Sequence, residues 1–338
     1  MISPRTRRNL STEFARSIMA KIGVALFVLI IFGAIFAPFL APHDPTEQDL
    51  GNGHLPPLGF SGEVNETTTQ MENGTLETVT VTKQVNATVE HPLGTDPMGR
   101  DMLSRTLFGA RTSLLVGFLG TAIAVGIGST IGLTAGYYRG RVDDVLMRAT
   151  DIMLAFPALV FAITLIGLFG AVAIRIPDPW AIIGLTPDMP QRFVLPGTIT
   201  IVIGFVTWVL FARIARGEAL AVTNEEYVKA SRAAGASDRY TIRKHVLPNS
   251  LTPILVLATI QVGAVILIES ALSFLGFSGT NLAWGYDIAQ GRDHLARSWW
   301  ISTVPGIAIM LTVISVNLLG DWLRDALDPD LQREGGQL

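Results

Sequence analysis

Long uncharged stretches alternate with short polar ones along the chain. With Asp, Glu, Lys and Arg counted as breaks, six runs stand out, at 22–43, 112–138, 152–174, 193–212, 245–268 and 298–320. A helix needs about 20 mainly apolar residues to cross the hydrocarbon core of a bilayer. The pattern therefore predicts an all-α polytopic protein with six transmembrane helices, at 22–42, 112–138, 152–174, 193–212, 250–275 and 298–320. Pro157 falls inside the third and is expected to kink it, which membranes tolerate where neighbours satisfy the freed backbone groups. Gly126, Gly128 and Gly132 place small residues on the second, as close helix packing requires. The first run exceeds the roughly 7–15 apolar residues of a signal peptide and ends without a small-x-small cleavage site, so it is predicted as a retained span.

Composition agrees with lipid as the main solvent. The chain of 338 residues is 49% hydrophobic and 16% charged, with a mean hydropathy of +0.44; soluble domains carry about 25% charged residues. A soluble enzyme is excluded on these grounds. A net charge of −3 gives no case for a nucleic-acid partner. Without cysteine there is no disulfide framework, thiolate metal site or cysteine nucleophile. Lys21, Lys83, Lys229 and Lys244 are the only lysines, and none sits in a phosphate-binding loop, so any ATP would be bound by another chain. His43, His54, His91, His245 and His294 show no metal-ligand spacing, and no catalytic constellation emerges. No catalytic residue, metal or bound cofactor is expected.

The distribution of charge orients the spans. With the N-terminus inside, 17 of the 25 basic residues face the cytoplasm, where Lys and Arg accumulate. Tails at 1–21 and 329–338 are then cytoplasmic, and 43–111 is extracytoplasmic. From Asp44 to Asp96 that loop carries nine acids and one base, Lys83. Its Asn-x-Thr triplets at Asn65, Asn73 and Asn86 are candidate glycosylation sites. Val79, Val81, Val85, Ala87 and Val89 alternate with polar residues, the period of a half-buried strand, and predict a small hairpin near 75–90. The Gly- and Pro-rich stretch 51–62 reads as irregular loop.

The loop 213–249 is too long for a turn. Thr223 or Asn224 can cap a helix whose first turn holds Glu225 and Glu226. That helix is expected to stop at Gly235, which adopts left-handed backbone easily. A second short helix starts at Ser237 or Asp238, and Pro248 begins the return into the membrane. Small side chains at Ala230, Ser231, Ala233, Ala234, Gly235 and Ala236 leave a low surface that fits another protein's groove. A solvated basic loop is the plain alternative.

The stretch Glu226, Tyr227, Val228, Lys229, Ala230, Ser231, Arg232, Ala233, Ala234, Gly235, Ala236, Ser237, followed by Leu247 and Pro248, resembles the EAA loop of ABC importer permeases. Lys229 stands where that motif has Glu, and Ser231 where it has its second Ala. Gly94, Thr95, Asp96, Gly99, Arg100, Asp101 and Arg105 resemble the signature before the second span in the C-type permeases of dipeptide, oligopeptide and nickel importers. Asp143, Met147, Arg148, Asp151, Phe156 and Pro157, and later Glu269, Leu272–Gly276, Trp284 and Gly285, are similar to further blocks of that family. The likeness covers about 1–58 and 91–328; the region 59–90 has no counterpart and reads as an insertion.

The resemblance implies a permease core at 112–328 whose 226–237 segment is a coupling helix docking on an ATPase subunit. It implies a B-type permease partner, two ABC ATPase subunits that use ATP and Mg, an extracytoplasmic substrate-binding protein, and transport of peptides, nickel or other small solutes by alternating access. The cell membrane is the expected location. An ion-coupled secondary transporter, or a membrane-anchored sensor or scaffold, are the alternatives. Glu269 is a candidate for the translocation path or a gate, against a structural role with a backbone amide or an arginine; ionisable groups at membrane depth are functional candidates by default. The outer-mouth residues Arg100, Asp101 and Arg105 either frame a docking site or form an internal ion-pair network. Arg148 is expected to pair with Asp144 or Asp151 at helical spacing.

Overall fold

The computed structural model describes residues 14–15, 17–72, 75–280 and 282–327. Residues 1–13 and 16 of the predicted tail, the tail at 329–338 and Asn73 lie outside them. Besides one-turn segments, the elements in chain order are α1 (Ile18–Ile35), β1 (Ser61–Glu72), β2 (Thr75–Asn86), α2 (Met102–Tyr138), α3 (Gly140–Leu154), α4 (Ala158–Phe169), β3 (Ala173–Pro177), β4 (Arg192–Pro196), α5 (Gly197–Thr223), α6 (Glu226–Ala233), α7 (Asp238–Thr241), α8 (Leu247–Phe274), α9 (Trp284–Gly291) and α10 (Trp300–Leu327). Among the described residues, five stretches are long and apolar enough to cross a membrane: α1, α2, α5, Asp238–Phe274 and α10. The chain is a multi-pass, mainly α-helical membrane protein.

The third expected span, 152–174, is not one helix. α3 ends at Leu154 and α4 begins at Ala158, bent by 89°. Pro157 offers no N–H and pushes Phe156 away from helical backbone; its own ψ of 120° is extended, and its carbonyl accepts from Phe161 N at 2.9 Å. The proline therefore ends one helix and caps the next. With 12 residues, α4 is about 18 Å long at 1.5 Å per residue, short of the roughly 30 Å hydrocarbon core. Beyond it, residues 173–177 pair antiparallel with 192–196, so both borders of the expected spans at 174 and 193 are strand.

α2 begins ten residues before the run that predicted it. Arg105 and Arg111 break the run by charge, yet both are paired: Arg105 Nε donates to Asp287 at 2.8 Å, and Arg111 pairs with Asp178. Likewise α5 continues past Arg213 and Arg216 because Asp151 and Asp143 on α3 receive them, at 2.7 and 2.5 Å. Asp151 thus pairs across to α5 rather than with Arg148 on its own helix.

α2 and α5 form the central packing pair. A Cβ on Gly128 would lie 2.3 Å from the Trp208 carbonyl oxygen, and one on Gly132 2.1 Å from that of Ala212. Gly136 repeats the contact one turn on, 2.6 Å from the Arg216 carbonyl. Spacing by four residues puts all three on one stripe, where the backbones touch. Gly126, expected to pack, faces open space. Around this seam Leu133, Tyr137, Phe211, Ala215, Val228 and Val246 build one buried cluster.

The hairpin expected near 75–90 is larger than that range. Residues 61–72 and 75–86 pair antiparallel, Ser61 opposite Asn86, so its first strand occupies the tail of the stretch read as irregular.

Candidate functional site

The segment between α5 and α8 is built in layers. α6 shows one buried residue, Val228, which joins the cluster under α2 and α5. Glu225, Glu226, Tyr227, Lys229, Ala230, Arg232, Ala233, Ala234 and Gly235 are exposed, and Ser231 and Ala236 half-exposed. Helical spacing thus leaves one anchor inward and a surface of small side chains outward, with Tyr227 beside it. Glu226 accepts from Lys229 at 2.8 Å; that ammonium holds the Glu226 carboxyl below its usual range. Lys229, in the motif's glutamate position, has its partner one turn earlier.

The expected cap is different. Glu225 holds the N-cap backbone position without a side-chain bond. Thr223 and Asn224 instead accept from the Arg139 guanidinium, at 2.9 and 3.0 Å. Arg139 turns the corner between α2 and α3 at φ +56°, so the corner is tied to the end of α5. The exit of α6 is as expected. Gly235 has φ +86° and accepts no neighbour within 4 Å of a Cβ, so backbone conformation, not space, calls for glycine. Ala236 N–H donates to the Ser231 carbonyl at 3.1 Å and Gly235 N–H to that of Arg232 at 3.0 Å, the paired bonds of a Schellman stop.

Ser237 caps α7, accepting from Tyr240 N at 3.4 Å. Tyr137 Oη donates to Asp238 at 2.7 Å, and Arg232 lies 4.7 Å over the Tyr137 ring and 3.7 Å from Asp238. Both short helices are thereby fastened to the end of α2. A π-turn at Ile242–Val246 then leads into Leu247 and Pro248 at the start of α8. Arg239, Arg243 and Lys244 line a basic groove beside Ser237 and Tyr240.

At the opposite end of α2, the seven outer-mouth residues form a buried knot. Asp96 accepts from Met98 N, Arg100 N and Arg100 Nε at 2.8, 2.9 and 2.5 Å. Asp101 caps α2, its Oδ2 accepting from Ser104 N and Oγ, each at 2.7 Å. Thr95 gives its carbonyl to Trp300 Nε1 at 2.9 Å. Gly94 and Gly99 have φ of +79° and +74°, and a Cβ on Gly99 would lie 1.7 Å from the Asp49 carbonyl. Asp96, Arg100, Asp101 and Arg105 are 3% exposed or less, so their charges are spent inside the chain. Burial pushes the Asp287 carboxyl up, with Arg105 opposing the shift. Removing one partner of such a buried pair costs about 3–5 kcal/mol.

Glu269 is fully buried on α8 and held by hydroxyls: Ser113 at 2.9 Å from α2, Ser273 at 2.7 Å and Ser270 at 3.4 Å. Among the described residues, neither a backbone amide nor an arginine is its partner. The carboxyl links α2 to α8. Asn86 ends β2, exposed, and Asn65 lies in β1.

The histidines, ungrouped by sequence spacing, are partly brought together. The rings of His43 and His91 stack at 4.5 Å, beside Asp101. No spacing rule on one element finds such a set, because its members come from three segments.

Residues 128–333 match the family described as binding-protein-dependent transport system inner membrane component. Residues 10–57 match that described as N-terminal TM domain of oligopeptide transport permease C. Among similar proteins is the di/tripeptide transport system permease protein DppC of Pseudomonas aeruginosa, 34% identical over 98% of this chain and 95% of that protein. The probable D,D-dipeptide transport system permease protein DdpC of Escherichia coli is 34% identical over 90% of this chain and 85% of that one. Among solved structures, an inward-facing MetNI methionine ABC transporter chain aligns with a TM-score of 0.50 at 16% identity, over 67% of this chain and 98% of that one.

Proposed function

The chain belongs to the family of binding-protein-dependent transport system inner membrane components, and from that membership we propose that it is one permease subunit of an ATP-driven peptide importer, with α6 as the contact through which a separate ATPase drives it. Substrate class is carried by its relatives, which are peptide and dipeptide permeases at about 35% identity over most of the chain. A second, B-type permease subunit completes the pathway, two ATPase subunits use ATP and Mg, and a binding protein delivers the peptide from outside. Transport proceeds by alternating access, and both termini lie in the cytoplasm with α6.

The observation that carries the coupling role is the shape of α6. It has one buried anchor, Val228, in the cluster under α2 and α5, a small-residue outer surface, and Arg232 set over the Tyr137 ring at the end of α2. A helix fixed to two spans transmits a push to both. For the push to shift a conformational equilibrium, the ATPase must contact the two states differently, and a short rigid helix provides such a contact.

The test uses the tagged full-length chain expressed with its partner subunits. Ala234→Trp fills the outer surface without touching the buried anchor. The expected result is at least a tenfold loss of co-purified ATPase and of peptide uptake, with unchanged thermal unfolding of the permease. Normal ATPase recovery and uptake in this variant, and in one with 226–237 replaced by a Gly-Ser linker, would overturn the coupling role.

A further inference from the structure

His43 Nδ1 is buried and has no hydrogen-bond partner, although it lies beside an ordered carboxylate and a second imidazole. A buried polar atom left unpaired is costly, and both oxygens of the neighbouring carboxylate are committed. His91 Nδ1 is 3.1 Å from Asp101 Oδ1. Asp101 Oδ2 is taken by Ser104 N and Oγ. The Ser104 hydroxyl also accepts from the His43 backbone N–H at 3.2 Å, which fixes His43 against the end of α2. His91 and Asp101 are 6% and 1% exposed.

We propose that His43, His91 and Asp101 form a binding site for a zinc-class divalent cation, formed by two imidazoles and one carboxylate with water in the fourth position. The ligating atoms all lie within 4.8 Å of one another. Two ligands bound tetrahedrally at about 2.0–2.1 Å stand roughly 3.3 Å apart, close to the His91–Asp101 separation, so a small turn of the His43 ring closes the set. The donors choose the metal class: imidazole suits zinc and its neighbours, whereas magnesium and calcium take oxygen ligands. Ser104 serves as the outer partner that orients the carboxylate, as outer hydrogen bonds do at metal sites.

The positions say what the ion does. His43 directly precedes the polar extracytoplasmic segment, His91 lies 48 positions later near that segment's far end, and Asp101 caps α2. One ion thus joins both ends of that segment to the first turn of a central span. Metal clips that close long loops stabilise most, because they remove the most chain entropy. The site is a structural staple at the start of α2, the opposite end from α6.

The experiment uses the purified full-length chain in detergent, stripped with chelator and titrated with zinc against a chromogenic competitor. His43→Phe keeps the ring stack and removes both ring nitrogens, including the Nδ1 that has no partner. Its unfolding midpoint in the metal-free state, expected to match that of the metal-free native chain, checks that the fold is retained. Expected are one zinc per chain in the native protein, at least tenfold weaker binding in H43F, and a zinc-dependent rise in Tm that H43F lacks. Millimolar magnesium should not compete. His294→Phe, which alters the His54–His294 ring contact at 4.9 Å, should bind like the native chain. The proposal is overturned if the native chain takes up no stoichiometric zinc, if H43F binds as tightly, or if H294F is the variant that loses the ion.

Discussion

A glycine in this molecule has a meaning set by what a methyl group would meet. Gly128, Gly132 and Gly136 are where the backbones of α2 and α5 touch. In lipid the tails are as apolar as leucine, so helices associate through close packing rather than hydrophobic expulsion. A methyl at Gly132 has nowhere to go but between the helices, and overpacking of this kind costs about 1–3 kcal/mol. Gly126 is six residues earlier on the same helix and faces nothing within 4 Å. Gly132→Ala is therefore expected to lower the thermal unfolding midpoint of the detergent-purified chain clearly, and Gly126→Ala to leave it within error. Equal midpoints for the two variants would mean that α2 and α5 are not in contact along this stripe.

Elements were legible wherever lipid alone decides them, and less so where a partner does. Long apolar runs announced α1, α2, α5, α8 and α10, because hydropathy is a property of each segment by itself. Their ends were not announced, since Arg105, Arg213 and Arg216 look like terminators until Asp287, Asp151 and Asp143 arrive from elsewhere in the chain. Pro157 was visible as an irregularity, but the 89° turn depends on the extended backbone of the proline itself. The stop of α6 at Gly235 is local and could be read; its start could not, because Thr223 and Asn224 serve Arg139 instead. That arginine sets the corner between α2 and α3 with φ +56° and ψ −170°, a region that glycine alone adopts freely and that costs other residues about 1–3 kcal/mol. Its three-way bonding to Leu220, Thr223 and Asn224 offsets that strain. The two substitutions that remove the bonds should then separate. Arg139→Ala keeps the strain and is expected to be the less stable by about 1 kcal/mol or more, whereas Arg139→Gly sheds it. Both should speed amide hydrogen exchange at 220–228. Equal stability of the two variants would show that the corner relaxes without its arginine.

At the scale of the whole molecule, a helical membrane body carries one appendage that its matched family segments do not include. The matches end at 57 and resume at 128, and the hairpin at 61–86 falls in the gap. Its strands pair with each other along their full length and barely graze the helices. The pairing of Ser61 with Asn86 brings the ends of the hairpin side by side, and opposed residues in an antiparallel pair have Cα atoms about 4.5–5.5 Å apart. Two or three glycines span that gap. The buried knot of Asp96, Arg100, Asp101 and Arg105 and the α2–α5 seam both lie outside the excised stretch, so the forces that fold the body are untouched. Replacing 62–85 by Gly-Gly-Ser is therefore expected to leave membrane insertion, ATPase co-purification and Tm of the body near native. Uptake is the informative readout. If it also persists, the hairpin is dispensable for transport; if it falls while the ATPase still co-purifies, the hairpin acts outside, where the binding protein arrives. Loss of the folded body would instead show that the hairpin is part of the core, against its sparse contacts with the helices.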